Sequence, residues 1–126
     1  MTDTFVQAKE KVLETFSVKG YKTWQGREGV GAEATLYKDG KRLECWVADD
    51  GNGGESRLIA KNEDFKMITG FLKTLPAYNF NDYWSEQYSE PWEGENRLTS
   101  WTLNTFCEVM LMVAEDRILK RNKKND

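Results

Sequence analysis

Two runs of alternating apolar and polar residues, separated by an Asp-Gly pair, constrain the fold of this chain more than any other feature. The apolar positions of the two runs are Ala32, Ala34, Leu36, Leu43, Cys45 and Val47. Because successive side chains of a strand point to opposite faces of a sheet, each run predicts a strand with one buried face. Asp39 and Gly40, between the runs, are a favoured pair for a two-residue type I′ turn. The sequence therefore predicts an antiparallel hairpin.

The flanking segments extend this hairpin into a sheet. Residues 16–25 are rich in aromatic and β-branched residues and predict a strand, with a bulge where Gly20 interrupts it. Residues 55–60, "ESRLIA", are compatible with a short fourth strand. We therefore predict a three- or four-stranded antiparallel meander over residues 16–60.

Helical periodicity occurs on both sides of the sheet segment. Apolar residues recur at helical spacing in residues 4–15, 62–75 and 100–121, which predicts one helix before the sheet and two after it. In the second helix the predicted buried stripe comprises Phe65, Ile68, Phe71, Leu72 and Leu75. The expected architecture is a single α+β domain over residues 1–126, with its helices packed on one face of the sheet.

Capping residues locate the expected starts of these helices. Thr4 followed by Gln7 fits a capping box. Asn62 precedes two acids, an arrangement typical of an N-cap and the first helical turn. Thr99 or Ser100 is the expected cap of the last helix.

The absence of histidine excludes several kinds of active site. With no histidine among 126 residues, Ser-His-Asp and Cys-His catalysis and HExxH zinc sites are ruled out. Cys45 and Cys107 lie in apolar periodic segments, which favours buried free thiols. The net charge is −3, and no apolar run approaches the roughly 20 residues that span a bilayer. We expect a cytoplasmic protein with no cofactor, no bound metal and no membrane partner.

The stretch "DDGNGGESR", residues 49–57, has the composition of a ligand-binding loop but not the spacing of one. A calcium loop that starts at Asp50 needs an acid or amide at its fifth position and a glutamate at its twelfth, and Gly54 and Lys61 stand there. A Walker loop opens a helix, whereas "GGESRL" leads into an expected strand. Glycine and asparagine tolerate positive φ, so we interpret the stretch as a structural turn.

The hairpin and the glycine corner after it resemble a known pattern. The stretch "AEATLYKDGKRLECWVADDGNGGE" is similar to a recurring hairpin in small uncharacterised proteins of phages and bacteria. In those proteins an alanine-rich strand ends at Asp-Gly, and a second strand reaches a Gly-Gly corner. The similarity covers residues 24–58 and implies an origin in a phage or another mobile element.

The segment between the second and third expected helices has the most unusual composition. Residues 76–96, "PAYNFNDYWSEQYSEPWEGEN", contain six aromatic residues, five acids and no lysine or arginine. We predict an aromatic-acidic loop over residues 76–98, much longer than the roughly two to eight residues usual between helices. Aromatic residues are enriched at interface hot spots, and carboxylates steer association with basic surfaces. The predicted partner-binding residues are Tyr83, Trp84, Glu86, Tyr88, Glu90, Trp92, Glu93 and Glu95.

These features favour a non-catalytic protein-binding module. Together with the resemblance to phage proteins, they predict an inhibitor or modulator of a host protein with a basic surface, such as a defence or nucleic-acid-handling protein. The aromatic rings could instead fold back as a lid on the sheet. The chain could be a monomer, or a homodimer formed through its last helix.

Two other functional classes stay open. The order α-β-β-β-α is that of the double-stranded RNA-binding domain, whose last helix starts with lysines, whereas the corresponding helix here begins "NEDFKM". The carboxylate pairs Asp49/Asp50 and Glu93/Glu95 could serve a metal-dependent enzyme. Against this, neighbouring strand residues such as Asp49 and Asp50 point to opposite faces.

Overall fold

The computed structural model describes residues 4–52 and 55–124, and it shows an α+β fold. In these residues one helix precedes a four-stranded antiparallel sheet and three helices follow it. The elements are α1 (Thr4–Thr15), β1 (Phe16–Gln25), β2 (Val30–Lys38), β3 (Lys41–Asp49), β4 (Arg57–Ile59), α2 (Asn62–Lys73), β5 (Tyr78–Asn79), α3 (Phe80–Tyr88), β6 (Leu98–Thr99) and α4 (Leu103–Lys124). None of these helices has the length and apolar composition that crossing a membrane requires.

Strands β1 to β4 form one sheet in which they lie side by side in chain order. The predicted antiparallel meander is therefore confirmed, and it has four strands. Ala34 of β2 pairs with Val47 of β3, and both are buried on the same face. Asp39 and Gly40 have φ angles of 51° and 81°. Two successive positive φ angles define the type I′ turn, which the Asp-Gly pair predicted.

Gly20 interrupts β1 as a bulge. The pairing register of β1 with β2 shifts between Lys19 and Lys22, and Gly20 has a φ angle of 69°. Glycine adopts this conformation without the steric cost that a Cβ atom brings. Lys19 pairs with Thr35 and Lys22 with Glu33. Because Thr35 and Glu33 are two residues apart on one strand, Lys19 and Lys22 lie on the same face of the sheet.

The core lies between one face of the sheet, here termed the inner face, and helices α1, α2 and α4. Buried sheet residues on the inner face are Phe16, Val18, Ala34, Leu36, Cys45 and Val47. They meet Phe5, Ala8 and Val12 of α1, Ile68 and Leu72 of α2, and Phe106, Cys107, Val109 and Met110 of α4. Phe16 links the layers, since its ring lies 5.2 Å from those of Phe71 and Phe106 in edge-to-face geometry. The opposite face of the sheet is termed the outer face.

Two helix starts differ from the capping predictions. Asn62 is the first residue of α2, and no side-chain hydrogen bond caps that helix. The last helix begins at Leu103 and not at residue 100. The hydroxyl of Thr102 accepts the backbone N–H of Thr105 and so satisfies one free donor of the first turn.

The buried face of α2 is narrower than predicted. Ile68 and Leu72, one turn apart, are buried, but Phe65 in the first turn is 41% exposed. The prediction that Phe65 belongs to the buried stripe is therefore wrong. The helix also ends at Lys73, two residues before the predicted end, with Thr74 as its C-cap.

The prediction of an uninterrupted loop over residues 76–98 is also wrong. β5 and β6 pair at the two ends of this segment, and α3 lies between them, so three helices and not two follow the sheet. Residues four apart on a helix are neighbours on one face, and α3 brings Phe80, Trp84 and Tyr88 together in this way. The helix ends at Tyr88, and its C-cap Ser89 adopts a left-handed conformation and donates its N–H to the carbonyl of Ser85.

Candidate functional site

A buried aromatic cluster anchors the aromatic-acidic segment, residues 76–98, to the rest of the fold. The ring of Phe5 in α1 lies 5.1 Å from that of Tyr78, 5.3 Å from Tyr83 and 5.2 Å from Trp101. All four side chains are buried. The hydroxyls of Tyr78 and Thr105 share a hydrogen bond of 3.2 Å. Aromatic contacts of this kind add to the free energy gained from burial, so they stabilise the packing of the segment against α1.

Polar contacts from α1 fix α3 from the side. The hydroxyl of Thr4, which the sequence assigned to a capping box, donates to a carboxylate oxygen of Asp82 at 3.1 Å. It also accepts the backbone N–H of Asn79 at 3.1 Å. About one turn farther along, Lys9 forms an ion pair of 3.0 Å with Glu86. The carboxylate of Glu86 is therefore engaged within the chain, unlike the other glutamates of this segment that were predicted to bind a partner.

Tyr83 lies beneath the surface that a partner would touch. Its side chain is buried, and its hydroxyl donates a hydrogen bond to the carboxylate of Glu108 on α4. Burial, and then this bond to Glu108, raise the pKa of Tyr83 far above its ordinary value. Tyr83 is thus a neutral donor at neutral pH, and it connects α3 to α4.

Three rings form the accessible part of the segment. The ring of Trp84 lies 4.4 Å from that of Tyr88 and 4.7 Å from that of Trp92. Phe80 supports them from below, with its ring 4.8 Å from Trp92. Tyr88 is 44% exposed, and Trp84 and Trp92 are half-buried. The guanidinium of Arg97 lies 5.4 Å from the Phe80 ring, so this cluster already makes a cation–π contact within the chain.

A tight turn holds Trp92 against the cluster. The indole N–H of Trp92 donates to the backbone carbonyl of Glu95 at 3.0 Å. A Cβ atom at Gly94 would come within 2.5 Å of the Trp92 ring, so only glycine allows this arrangement. The position of Trp92 is therefore set by the chain itself before any partner binds.

These residues form one shallow groove. It has a volume of about 340 Å³, and its lining residues are Trp84, Glu90, Pro91, Trp92, Glu93 and Gly94. The carboxylates of Glu90, Glu93 and Glu95 are exposed around it. Indole faces beside carboxylates favour an organic cation, since the ring quadrupole and the negative charges attract it together. The groove and its neighbours Tyr88 and Glu95 are referred to below as the aromatic-acidic surface.

A second concavity adjoins Tyr88. It is a cleft of about 300 Å³ between the sheet and α4, and its polar lining residues include Tyr21, Asp49, Glu108 and Glu115. Burial, and then the charge of Glu115, raise the pKa of Tyr21. The cleft thus brings the acids Asp49, Glu108 and Glu115 near Tyr88. Sequence analysis missed it, because its residues come from elements that no local pattern connects.

The acid-glycine loop after β3 is a structural turn. The carboxylate of Asp49 accepts the N–H of Gly51 at 3.0 Å, and that of Asp50 accepts the N–H of Asn52 at 2.9 Å. The side-chain carbonyl of Asn52 accepts the backbone N–H of Arg27 at 3.1 Å, which ties the loop to the connection between β1 and β2. The turn interpretation is confirmed for residues 49–52, and residues 53–54 lie outside the described part.

The carboxylates of the described residues do not form a metal-binding cluster. Within residues 4–52 and 55–124, no three acidic or cysteine side chains are placed so that they could hold a metal ion together. Comparison with known protein families, with curated proteins and with solved structures found no match to this chain.

Proposed function

We propose that this protein is a non-catalytic binding module that docks a positively charged segment of another protein on its aromatic-acidic surface. The observation that carries the proposal is the groove in which Trp84 and Trp92 stand beside Glu90 and Glu93. Trp and Tyr rings supply most of the binding free energy at many protein interfaces. An arginine or lysine side chain of the partner would lie against the indole faces with its charge near the carboxylates.

The rigidity of the surface supports this proposal. Binding costs free energy when flexible side chains become ordered. Here Trp92 is already fixed by Gly94 and by the carbonyl of Glu95, and α3 is fixed by Thr4 and the buried aromatic cluster. A preformed groove loses little conformational entropy when a partner docks.

The charges support a basic partner. Glu90, Glu93 and Glu95 are exposed, and Arg97, which lies against Phe80, is the one lysine or arginine within residues 76–98. Such a surface attracts basic proteins over a distance and repels anionic ones. With the resemblance to phage proteins, this favours a cytoplasmic host protein with a basic nucleic-acid groove as the target, and inhibition or modulation of that protein as the outcome. Duplex-RNA binding and carboxylate-dependent catalysis stay predictions from sequence alone.

Binding of a fluorescein-labelled arginine-rich peptide tests the proposal. Fluorescence anisotropy should show binding that weakens with salt, and Trp84→Ala with Trp92→Ala should weaken it about tenfold, which corresponds to about 1.4 kcal/mol. Glu90→Gln with Glu93→Gln should weaken it mainly at low salt. Trp24→Ala is the matched control, because Trp24 is an exposed indole on the outer face of the sheet.

A pull-down from bacterial lysate then identifies the target. Proteins that wild type retains and the Trp84→Ala/Trp92→Ala variant loses are the candidates. Glu86→Gln should retain them, since Glu86 is already paired with Lys9. Equal peptide affinity of wild type and the double tryptophan variant would show that the surface is not the binding site, as would an equal loss in Trp24→Ala.

A further inference from the structure

The outer face of the sheet carries a second aromatic surface, of opposite charge. Trp24 on β1 is 39% exposed and Trp46 on β3 is 36% exposed. Tyr37 on β2 is half-buried and lies on the same face. The pairing register places all three there: Trp24 pairs with Gly31 and Trp46 with Thr35, and residues 31, 35 and 37 of β2 alternate with the inner-face residues Ala34 and Leu36. Trp24, Tyr37, Trp46 and the charged residues among them are referred to as the outer-face platform.

The three rings follow one path across the platform. Trp24 pairs with Gly31 and Trp46 pairs with Thr35, so the rings stand level with positions 31, 35 and 37 of β2. At about 3.4 Å per residue, the path is roughly 20 Å long. A Cβ atom at Gly31 would come within 2.5 Å of the Trp24 indole, so that ring lies close against the backbone. A path of this length accommodates a short stretch of stacked bases.

Positive charges flank the path on both sides. The cations of this face are Lys19, Lys22, Arg42, Arg57 and Lys61, and its carboxylates are Glu33 and Glu44. Lys22 pairs with Glu33 at 2.8 Å, and Lys61 pairs with Glu44. Among the described residues Lys19, Arg42 and Arg57 form no ion pair, although the charge of Arg42 also acts on Glu44, and the chain as a whole has a net charge of −3. The amine of Lys19 lies 4.9 Å from the centre of the Tyr37 ring.

A groove runs beside Trp46. It has a volume of about 640 Å³, and Arg42, Glu44, Trp46, Ile59, Ala60 and Lys61 line it. Trp46 and Ile59 pair across β3 and β4 and form its apolar wall. The groove offers one flat apolar side and two cations within the same concavity.

We propose that the outer-face platform binds single-stranded nucleic acid. Unpaired bases would stack on Trp46, Tyr37 and Trp24, and phosphates would lie near Lys19, Arg42 and Arg57. Aromatic rings on a sheet face, flanked by cations, match a ligand that alternates flat apolar groups with negative charges. A duplex hides its base faces, and acidic side chains carry no aromatic ring to stack on the three rings, so both fit this face less well.

Anisotropy of a fluorescein-labelled oligothymidylate of about 15 nucleotides tests this proposal. If three phosphates are neutralised, affinity should fall about 20-fold between 50 and 200 mM salt. Tyr37→Ala and Trp46→Ala should each weaken binding about tenfold, and Trp46→Phe should restore most of the loss because stacking needs only a flat ring. Trp92→Ala should bind like wild type, since Trp92 lies on the aromatic-acidic surface. Thermal unfolding by circular dichroism verifies that each variant is folded.

Three outcomes would overturn the proposal. The first is equal affinity of wild type and a folded Trp46→Ala variant. The second is binding of duplex as tightly as of the single strand. The third is binding of poly-glutamate as tightly as the oligonucleotide, without loss in Trp46→Ala. That last result would identify an acidic protein, including the aromatic-acidic surface of a second copy, as the occupant of this face.

Discussion

Replacing Phe5 with alanine tests whether the buried aromatic cluster holds the aromatic-acidic segment in place. Phe5 is fully buried, and its ring contacts Tyr78, Tyr83 and Trp101 at 5.1 to 5.3 Å. A core Phe→Ala change costs about 3–5 kcal/mol, from lost burial and from the cavity left behind. Because three rings lose a common neighbour at once, we expect about 4 kcal/mol.

Urea unfolding followed by tryptophan fluorescence measures this cost. With a slope of about 2 kcal/mol per molar urea, the midpoint should fall by about 2 M. Leu13→Ala on the same helix is the matched control, since Leu13 is 37% exposed, and it should cost less than about 1 kcal/mol. Amide hydrogen exchange adds a local readout: protection in α3 should fall more than protection in β2 and β3.

Two results would refute the reasoning. One is a midpoint for Phe5→Ala no lower than that of Leu13→Ala. The other is a variant that is destabilised but in which the amides of α3 and of β2 lose protection equally. The second result would show that Phe5 supports the whole core and has no particular role in holding residues 76–98.

Further predictions concern buried polar groups and backbone conformation. Tyr83→Phe should lower the free energy of unfolding by about 2 kcal/mol, because it removes the hydrogen bond to Glu108. A double-mutant cycle with Glu108→Gln should show a coupling energy of about 1 kcal/mol or more, and purely additive losses would contradict this hydrogen bond. Gly40→Ala should lower the free energy of unfolding by about 1 kcal/mol, because alanine is strained at a φ of 81°. Gly70→Ala should raise it by up to about 1 kcal/mol, because Gly70 lies in a helix with open space around its Cα and alanine favours the helix. Thermal midpoints that shift in the same direction for both variants would contradict this. Burial raises the pKa of Cys107 from 9.0 to about 12. The unfolded chain therefore loses this thiol proton at a lower pH than the folded protein does, and stability should fall as pH rises above about 9. Cys107→Ala should make the urea midpoint decline less steeply with pH, and an unchanged slope would refute this.

The sheet could be predicted from sequence because its signals are local. Alternation with a period of two, the positive φ angles that Asp39 and Gly40 tolerate, and the glycine in β1 each act over a few residues. The cores of α1 and α4 follow from helical spacing in the same way. The exposure of Phe65 could not be predicted, because whether a helix residue at the right spacing is buried depends on what lies opposite it in the folded protein.

The third helix was missed although its signal is present in the sequence. Phe80, Tyr83, Trp84 and Tyr88 recur at helical spacing, but aromatic residues have weak helix propensity, and the segment is bounded by prolines at 76 and 91. Tertiary contacts overcome this, since Thr4 of α1 bonds to Asp82 and Phe5 of α1 packs against Tyr83. The composition of the candidate site could thus be predicted, whereas its division into the buried Tyr83, the paired Glu86 and the exposed remainder depends on α1 and α4.

The bulge at Gly20 determines which side chains of β1 face the acidic cleft and which face the outer-face platform. A slip of one residue moves every following side chain of a strand to the other face. With the extra residue, Tyr21 faces inward and lines the cleft beside Tyr88, while Lys22 and Trp24 face outward onto the platform. Without the extra residue, Lys22 and Trp24 would face inward, toward α4, and the outer face would lose one cation and one indole. The single glycine in β1 therefore determines which charged and aromatic side chains lie on the outer face, and it places Tyr21 in the acidic cleft. For this reason neither surface can be inferred from the composition of β1 alone.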